Sequence, residues 1–548
     1  MRKIAVLAML SMHVCAWAQF MGGGFGGGFN PGFGDFGGFG DFGGFGGFGG
    51  ETVFNPSQSR NHIDFESSDL PVIIINTDES KPIGSSGKSG ADMRIIDNKG
   101  RRNKVSDKPT GYDGRIGIKL RGNSSMSFEQ KSFTIETRKA DGTNNNVSLL
   151  GMPADNDWAL IAPYNDISMI RNVMAYTMWQ DMGHWGPRTR MVELVINNEY
   201  QGVYIFTETI KRSKDRISIA KLKADDNSGT DITGGYILRI DAYDADDLTF
   251  TSKVSGLSSF GGGFGGFGGF GGDAGGFGGN QAPANPVIWT IRTPKREDIT
   301  DAQKEYIENY IHEMEAAIDG PDFADPENGY SKYISVSSFV DYLIHTEVSL
   351  NADGLKRSAY FYKKKQNADG SGGKLHAGSV WDYNLAYGNC SFCNANKTDA
   401  WVYEGGETSP TPFFWKRLLE DPSFLSKVKA RYTELRGGIL SQDSIEAFID
   451  SYTARLSEAQ SRQYRKYSDL LVQKSSDRQH RNGGGNGFGM PGNNGFGGFG
   501  GGMGGFGGGD MISMFAAYRV SSYQEEIDTL KAWFKARLAF LDSNWLIK

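Results

Sequence analysis

"DGLKRSAYFYKKKQNADGSGGKLHAGSVWDYN", Asp353–Asn384, decides how the second half of this chain is read. Ala359–Lys365 (AYFYKKK) has the composition of a strand, QNADGSGG that of a turn, and Lys374–Trp381 (KLHAGSVW) that of the returning strand. A hairpin brings its open ends together. Asp353, before the outgoing strand, and Asp382, after the returning one, are therefore expected side by side although 29 positions apart. Two carboxylates at one hairpin mouth suit phosphoryl transfer, one taking the proton of a hydroxyl and the other holding a divalent cation on nucleotide phosphates. The plainer reading of the same spacing is that Asp353 caps a turn in NADG and Asp382 ends a strand.

In protein kinases a metal-ligating amide stands five residues after the catalytic aspartate. That position here is Ser358, a weak ligand, while an amide, Asn384, lies two past Asp382. A complement lies upstream in RIGIKL (Arg115–Leu120) and KSFTIET (Lys131–Thr137), two alternating strands around the tip RGNSSMSFEQ. The loop Arg121–Ser125, with Arg121, Asn123 and Ser124, offers donors to phosphates. Lys131 shares a face with Phe133 and Ile135 and wants an anion there: a phosphate, Glu208 or Glu193, unless it snorkels from a strand end.

Further strands are read at LPVIIINT (Leu70–Thr77), VELVI (Val192–Ile196), GVYIFTE (Gly202–Glu208), GGYILRID (Gly234–Asp241) and VIWTIRT (Val287–Thr293), with a helix over Ser168–Met182 capped by Asp166. From Thr300 the pattern turns helical. TDAQ is a capping box, Ile307, Tyr310, Ile311, Met314 and Ile318 form a stripe, and Gly320 stops it. Helices over Ser335–Leu350, Phe424–Arg436, Ile445–Leu470 and Ser522–Asn544 follow. The fold class is α+β, strand-rich over 65–299 and helical over 300–548.

Seventy-six glycines, far above the roughly 7% of average usage, sit mostly in Gly/Phe tracts at 22–50, 260–280 and 483–509. Such tracts cannot build a core and are expected to be disordered, either as inert spacers or as aromatic stickers for self-association. Residues 1–18 read as a signal peptide with a small-x-small site at Ala16–Ala18, so the protein is expected to be exported, with 19–64 a disordered Gly/Phe-rich segment. No run is long enough for a transmembrane segment, and a net charge of -6 without a basic block argues against nucleic acid. Cys390 and Cys393 read as a short-loop disulfide, with a redox pair the other option and zinc lacking further ligands.

LRGNSSMSFEQKSFTIE, NDISMIRNVMAYTMW, VELVINNEYQGVYIFTETIKR, GGYILRID and VWDYNLAYGN together resemble the CotH family of atypical protein kinases, in order, from about Leu70 to the C-terminus. The resemblance implies a bilobal kinase-like fold, ATP with Mg²⁺ or Mn²⁺, and transfer of phosphate to Ser or Thr of exported proteins. It casts Asp353 as catalytic, Asp382 with Asn384 and Ser358 at the metal, and Lys131, the Arg121–Ser125 loop and Glu208 at the nucleotide. The family often has an acid where Asn384 stands and an asparagine where Ser358 stands. A catalytically degenerate surface-matrix protein is therefore the alternative, and transfer of AMP a third reading.

Overall fold

The computed structural model describes residues 51–58, 61–244, 246–254, 287–391, 394–405, 411–471 and 519–547. The expected signal peptide, the three Gly/Phe tracts and Cys393 lie outside these residues.

Seven strands close into a barrel: β1 (Val72–Thr77), β2 (Ser89–Ile96), β3 (Tyr112–Arg121), β4 (Ser132–Thr137), β5 (Asp157–Ile161), β6 (Thr189–Ile196) and β7 (Glu199–Glu208). Their order is β6-β7-β5-β4-β3-β2-β1. Neighbours are antiparallel except at the closure, where β1 runs parallel to β6 with Val72 opposite Glu193. Strand alternation fills the barrel with Ile73, Ile75, Met93, Ile116, Ile118, Phe133, Ile135, Leu194 and Phe206. Val72 and Ile74 point the other way into a second cluster with Ile96, Val195 and Tyr200, which is why LPVIIINT is apolar throughout. Asn197 and Asn198, both at positive φ, make the two-residue turn between β6 and β7. Upstream, Val53–Phe54 pairs with Ile83–Gly84 inside the stretch expected to be disordered.

Helix α1 (Arg171–Asp181) interrupts the barrel strands between β5 and β6. A five-stranded antiparallel sheet follows in the order β9-β10-β8-β11-β12: β8 (Tyr236–Ile240), β9 (Leu248–Thr251), β10 (Ile288–Thr293), β11 (Ala359–Lys363) and β12 (Leu375–Ala377). Residues 255–286, outside the described ones, fall between β9 and β10, which are paired up to Thr251 opposite Ile288. Helices α2 (Asp301–Asp319), α3 (Val336–Ser349), α4 (Phe413–Leu419), α5 (Pro422–Arg436), α6 (Gln442–Arg455), α7 (Ala459–Lys466) and α8 (Tyr523–Trp545) share one core with this sheet and α1. The capping box of Thr300 with Gln303 is formed as expected. The helix expected over Ile445–Leu470 is two, because the chain leaves helical hydrogen bonding at Leu456 and restarts as α7.

That break lets α7 lie on the outside of the barrel. Arg462 Nε donates to Glu193 Oε1 at 3.0 Å and Arg462 Nη2 to Ser68 Oγ at 3.0 Å; Tyr200 also donates to Glu193. Gln463 Oε1 accepts the Val203 amide at 2.9 Å. Gly202, at φ 100°, makes this approach possible, since a methyl there would overlap the Gln463 amide oxygen. Glu193 has no exposed surface, so its charge is tolerable only with Arg462 in place. Arg462→Ala is expected to cost about 3–5 kcal/mol in chemical denaturation. Arg102→Ala, which breaks the partly exposed 2.7 Å ion pair with Glu458, should cost under about 1 kcal/mol; equal losses would refute this ranking.

Candidate functional site

Helix α3 ends at Ser349, and Leu350 at φ 44° turns the chain through Asn351 to Asp353. The Asp353 carbonyl accepts the amides of Lys356 at 2.9 Å and Arg357 at 2.7 Å, and its own amide donates to Asn351 Oδ1 at 3.3 Å. The turn is thus held by backbone and Asn351. No hydrogen bond among the described residues reaches the Asp353 carboxylate.

The hairpin β11–β12 pairs Phe361 with Ala377 and Lys363 with Leu375, and the returning strand stops well before Asp382. Asp382 sits at φ 62°, a left-handed conformation that Asp tolerates better than most residues and that clusters at functional sites. What holds it there is α1. The Asp382 amide donates to the Tyr176 hydroxyl at 3.2 Å, the Tyr383 amide to Asn172 Oδ1 at 2.7 Å, and Arg171 Nε donates to the Ala386 carbonyl at 3.1 Å. Asn172 and Tyr176 lie four residues apart, so one helix face grips two consecutive backbone amides. Arg171 is fixed in turn by Asp166 at 2.6 Å and Glu526 at 2.7 Å. Asp166 also accepts the Arg171 amide at 2.9 Å, although the N-cap position is Ile170 rather than the expected Asp166, since the helix starts at Arg171 and not at Ser168.

From the barrel side, Arg121 at the end of β3 lays its guanidinium 4.9 Å from the Trp381 ring, which stacks on Tyr176 at 5.8 Å. Asp382 meets solvent while Asp353, Arg121 and Trp381 are half-buried, so water reaches the place where Arg121 of the barrel meets the Trp381–Asp382 loop. The surrounding protein, then the charges of Asp353 and Asp241, push the Asp382 carboxyl up to about 7, with Arg121 opposing. Asp353 is raised by its surroundings and by Asp241, with Arg357 and Lys356 opposing. The two aspartates therefore feel each other's charge, and neither is hydrogen-bonded within the described residues.

Carboxylates without protein donors suit a hard divalent cation, which takes oxygen ligands. Asn384 adds an amide oxygen, because its Nδ2 is spent on Asn165 Oδ1 at 3.0 Å. The donor types fit such an ion, yet among the described residues no three His, Cys, Asp or Glu side chains close around one point.

The remaining expected site residues lie apart from this pair. Lys131 Nζ donates to the carbonyls of Met126 at 2.7 Å and Phe128 at 2.5 Å, so it clamps its own loop, and burial lowers its pKa. Glu208 is buried against Arg188, which donates to it from Nη1 at 2.8 Å and from its amide at 3.0 Å. Glu193 is taken by Arg462. Neither glutamate meets Lys131. Asn123 and Ser124 are exposed at the loop tip beside Arg121. Ser358, at φ 48°, makes no hydrogen bond to either aspartate. Cys390 is buried, and its expected partner lies outside the described residues.

Sequence reasoning missed Asp241, Asn172 and Tyr176. Asp241 follows Ile240, which pairs with Ala359, so β8 delivers a third acid to the hairpin mouth. Its signal was an acid at the end of an otherwise apolar strand. Asn172 and Tyr176 had a weaker one, two polar groups on a helix that is buried nearly all round.

No curated protein matches the chain. The family model described as CotH kinase protein matches residues 118–541 of 548, from inside β3 to the last turns of α8. The chain belongs to the CotH kinase protein family.

Proposed function

We propose that this protein is an exported kinase that transfers the γ-phosphate of ATP to Ser or Thr of secreted or surface proteins. The barrel and the helical body are then the two lobes of a bilobal kinase-like fold, with the nucleotide between them. The observation that carries the reading is the pair Asp353 and Asp382, whose carboxylates feel each other's charge without protein donors in a member of a kinase family. Asp353 takes the proton of the attacking hydroxyl, and its raised pKa makes it a stronger base than an ordinary aspartate. Asp382, fixed by Tyr176, and Asn384, oriented by Asn165, would hold Mg²⁺ or Mn²⁺. Such an ion neutralises charge on the phosphates when bound. Arg121 faces the same anion, with the tip residues Asn123 and Ser124 beside it and Lys131 bracing the loop. Glu208 supports the barrel end through Arg188. Ser358 stays a weak candidate ligand at the hairpin mouth.

Mn²⁺ with ATP should raise the melting temperature of the wild type and leave Asp382→Ala unmoved. Asp353→Asn should keep that rise but lose transfer by about 10²–10⁴-fold, the usual contribution of a general base. Unchanged melting with every nucleotide would remove the enzyme reading. Label on the terminal phosphate, compared with label on the α-phosphate, separates phosphoryl from AMP transfer.

The pH dependence has a definite sign. With its pKa raised from 3.8 to about 7, Asp382 keeps in the folded state a proton that the unfolded chain releases. The contribution of Asp382 to ligand-free stability is therefore fullest below about pH 4 and falls as pH rises toward about 7, opposite in sign to that of acids held low by cations, such as Glu458. The cation competes with that proton, so stabilisation by Mn²⁺ and ATP should grow over the upper part of the same interval. Melting curves of Asp382→Asn should lack both slopes; profiles parallel to the wild type would assign the effect elsewhere.

A further inference from the structure

A cavity of about 180 Å³ opens beside the carboxylate pair, walled by the rings of Trp179, Trp185 and Tyr362. Its place follows from two elements that each lead one step away from Asp382. Trp179 is nearly a turn past Tyr176 on α1, and Ser379 stands three residues before Asp382. The step along α1 is about 5 Å. Gly378, at φ 112°, admits Trp179 to this wall, where a Cβ would overlap the indole.

The lining is a set of donors. Trp185 Nε1, Ser379 Oγ and Arg216 Nε are buried without a hydrogen-bond partner, and Ser379 and Arg216 are only 2% and 3% exposed. The nearest carboxylate oxygen to Arg216 Nε, on Glu208, stands 3.8 Å away. Lys364 lines the cavity with no acidic partner among the described residues. The neighbouring acids are engaged: Glu208 by Arg188 and, more loosely, Arg216; Asp155 by Lys211 at 3.1 Å and Arg216 Nη2 at 3.5 Å; and Asp341 by His184 and Arg431. Arg216 thus keeps only its Nε free for a ligand, and Lys364 is the cation without an acid among the described residues. Burying three donors without acceptors is costly, and donors beside cations with no free acid suit one class of ligand.

We infer that this cavity binds a small oxyanion, a phosphate or carboxylate carried on a frame of a few atoms, through Ser379, Trp185, Arg216 and Lys364. The inference does not depend on the kinase reading. It leaves two sources for the anion, a free small molecule or a phosphate of the nucleotide itself.

Calorimetric titration of the full chain with inorganic phosphate and with 2-phosphoglycolate, against chloride at equal ionic strength, tests it. Both anions should bind. Ser379→Ala, Trp185→Phe and the exposed-site variant Lys364→Met should each weaken binding about tenfold, as expected for one hydrogen bond to a charged group. Competition between phosphate and Mn²⁺ with ATP would assign the anion to the nucleotide, and independent binding would assign it to a separate ligand. No binding beyond chloride, or equal affinity in all three variants, would overturn the proposal. Neutral adenosine binding more tightly than phosphate, with loss in the same variants, would overturn it in favour of a base pocket.

Discussion

Arg171 places a guanidinium with no exposed surface between two equally buried carboxylates, Asp166 at 2.6 Å and Glu526 at 2.7 Å. A charge so deep is tolerable only when matched, and stranding it costs several kcal/mol. The consequence reaches far along the chain. Glu526 belongs to α8, 355 positions from Arg171, while Arg171 also holds the Ala386 carbonyl behind the Asp382 segment. The start of α1, the C-terminal helix and the loop carrying Asp382 are therefore one electrostatic unit. The chain between α7 and α8 need only return near its departure point, and Arg519 meets the Asp469 carbonyl at 3.1 Å.

Against this background the state of Asp353 and Asp382 is informative. Other acids at depth have partners: Glu193 has Arg462 and Tyr200, Glu208 has Arg188, and Glu347 has Arg537 with the amides of Val402 and Tyr403. Even Glu315, pushed up to about 7 by burial, receives hydrogen bonds from Ser252 and Trp289. Asp353 and Asp382 have none, although Arg121, Lys356 and Arg357 are near enough to act on their charge. The contrast follows burial: the glutamates with no exposed surface are served by the chain, while Asp382 meets solvent and Asp353 is half-buried, so water can serve them and a ligand can displace it.

The local patterns that sequence expresses well came through: alternation in β3 and β4, the capping box at Thr300, and the hairpin that brings Asp353 and Asp382 within range of each other. Pairings between distant segments did not, because nothing near β1 records that it will lie parallel to β6 and close a barrel. The same limit hid the site's support. A lysine on an apolar face says that a partner is needed, yet carbonyls serve Lys131 as well as a carboxylate would, and they carry no side-chain signature. Asp241 was visible as a residue, but its role depends on the register of β8 against β11. Asp382 read as a strand end lies instead in a left-handed loop, imposed by Tyr176 and Asn172 rather than by its neighbours in sequence.

Asn384 shows how such support also constrains the chemistry. Its Nδ2 donates to Asn165 Oδ1 at 3.0 Å, while Asn389 Nδ2 ties the Asn165 carbonyl at 2.7 Å to the Asn384 carbonyl at 2.8 Å. A carboxylate at this position has no proton to give Asn165 and would force that amide to turn. It would also add a negative charge beside Asp382, whose proton affinity is already raised by Asp353 and Asp241. An amide avoids both costs and still presents an oxygen to a cation. It gives up one charge of attraction for such an ion, so any cation bound there would be held by Asp382 as its charged ligand. The departure from the family's acid is in this sense internally consistent: the hydrogen bonds around Asn165 favour the amide that stands there.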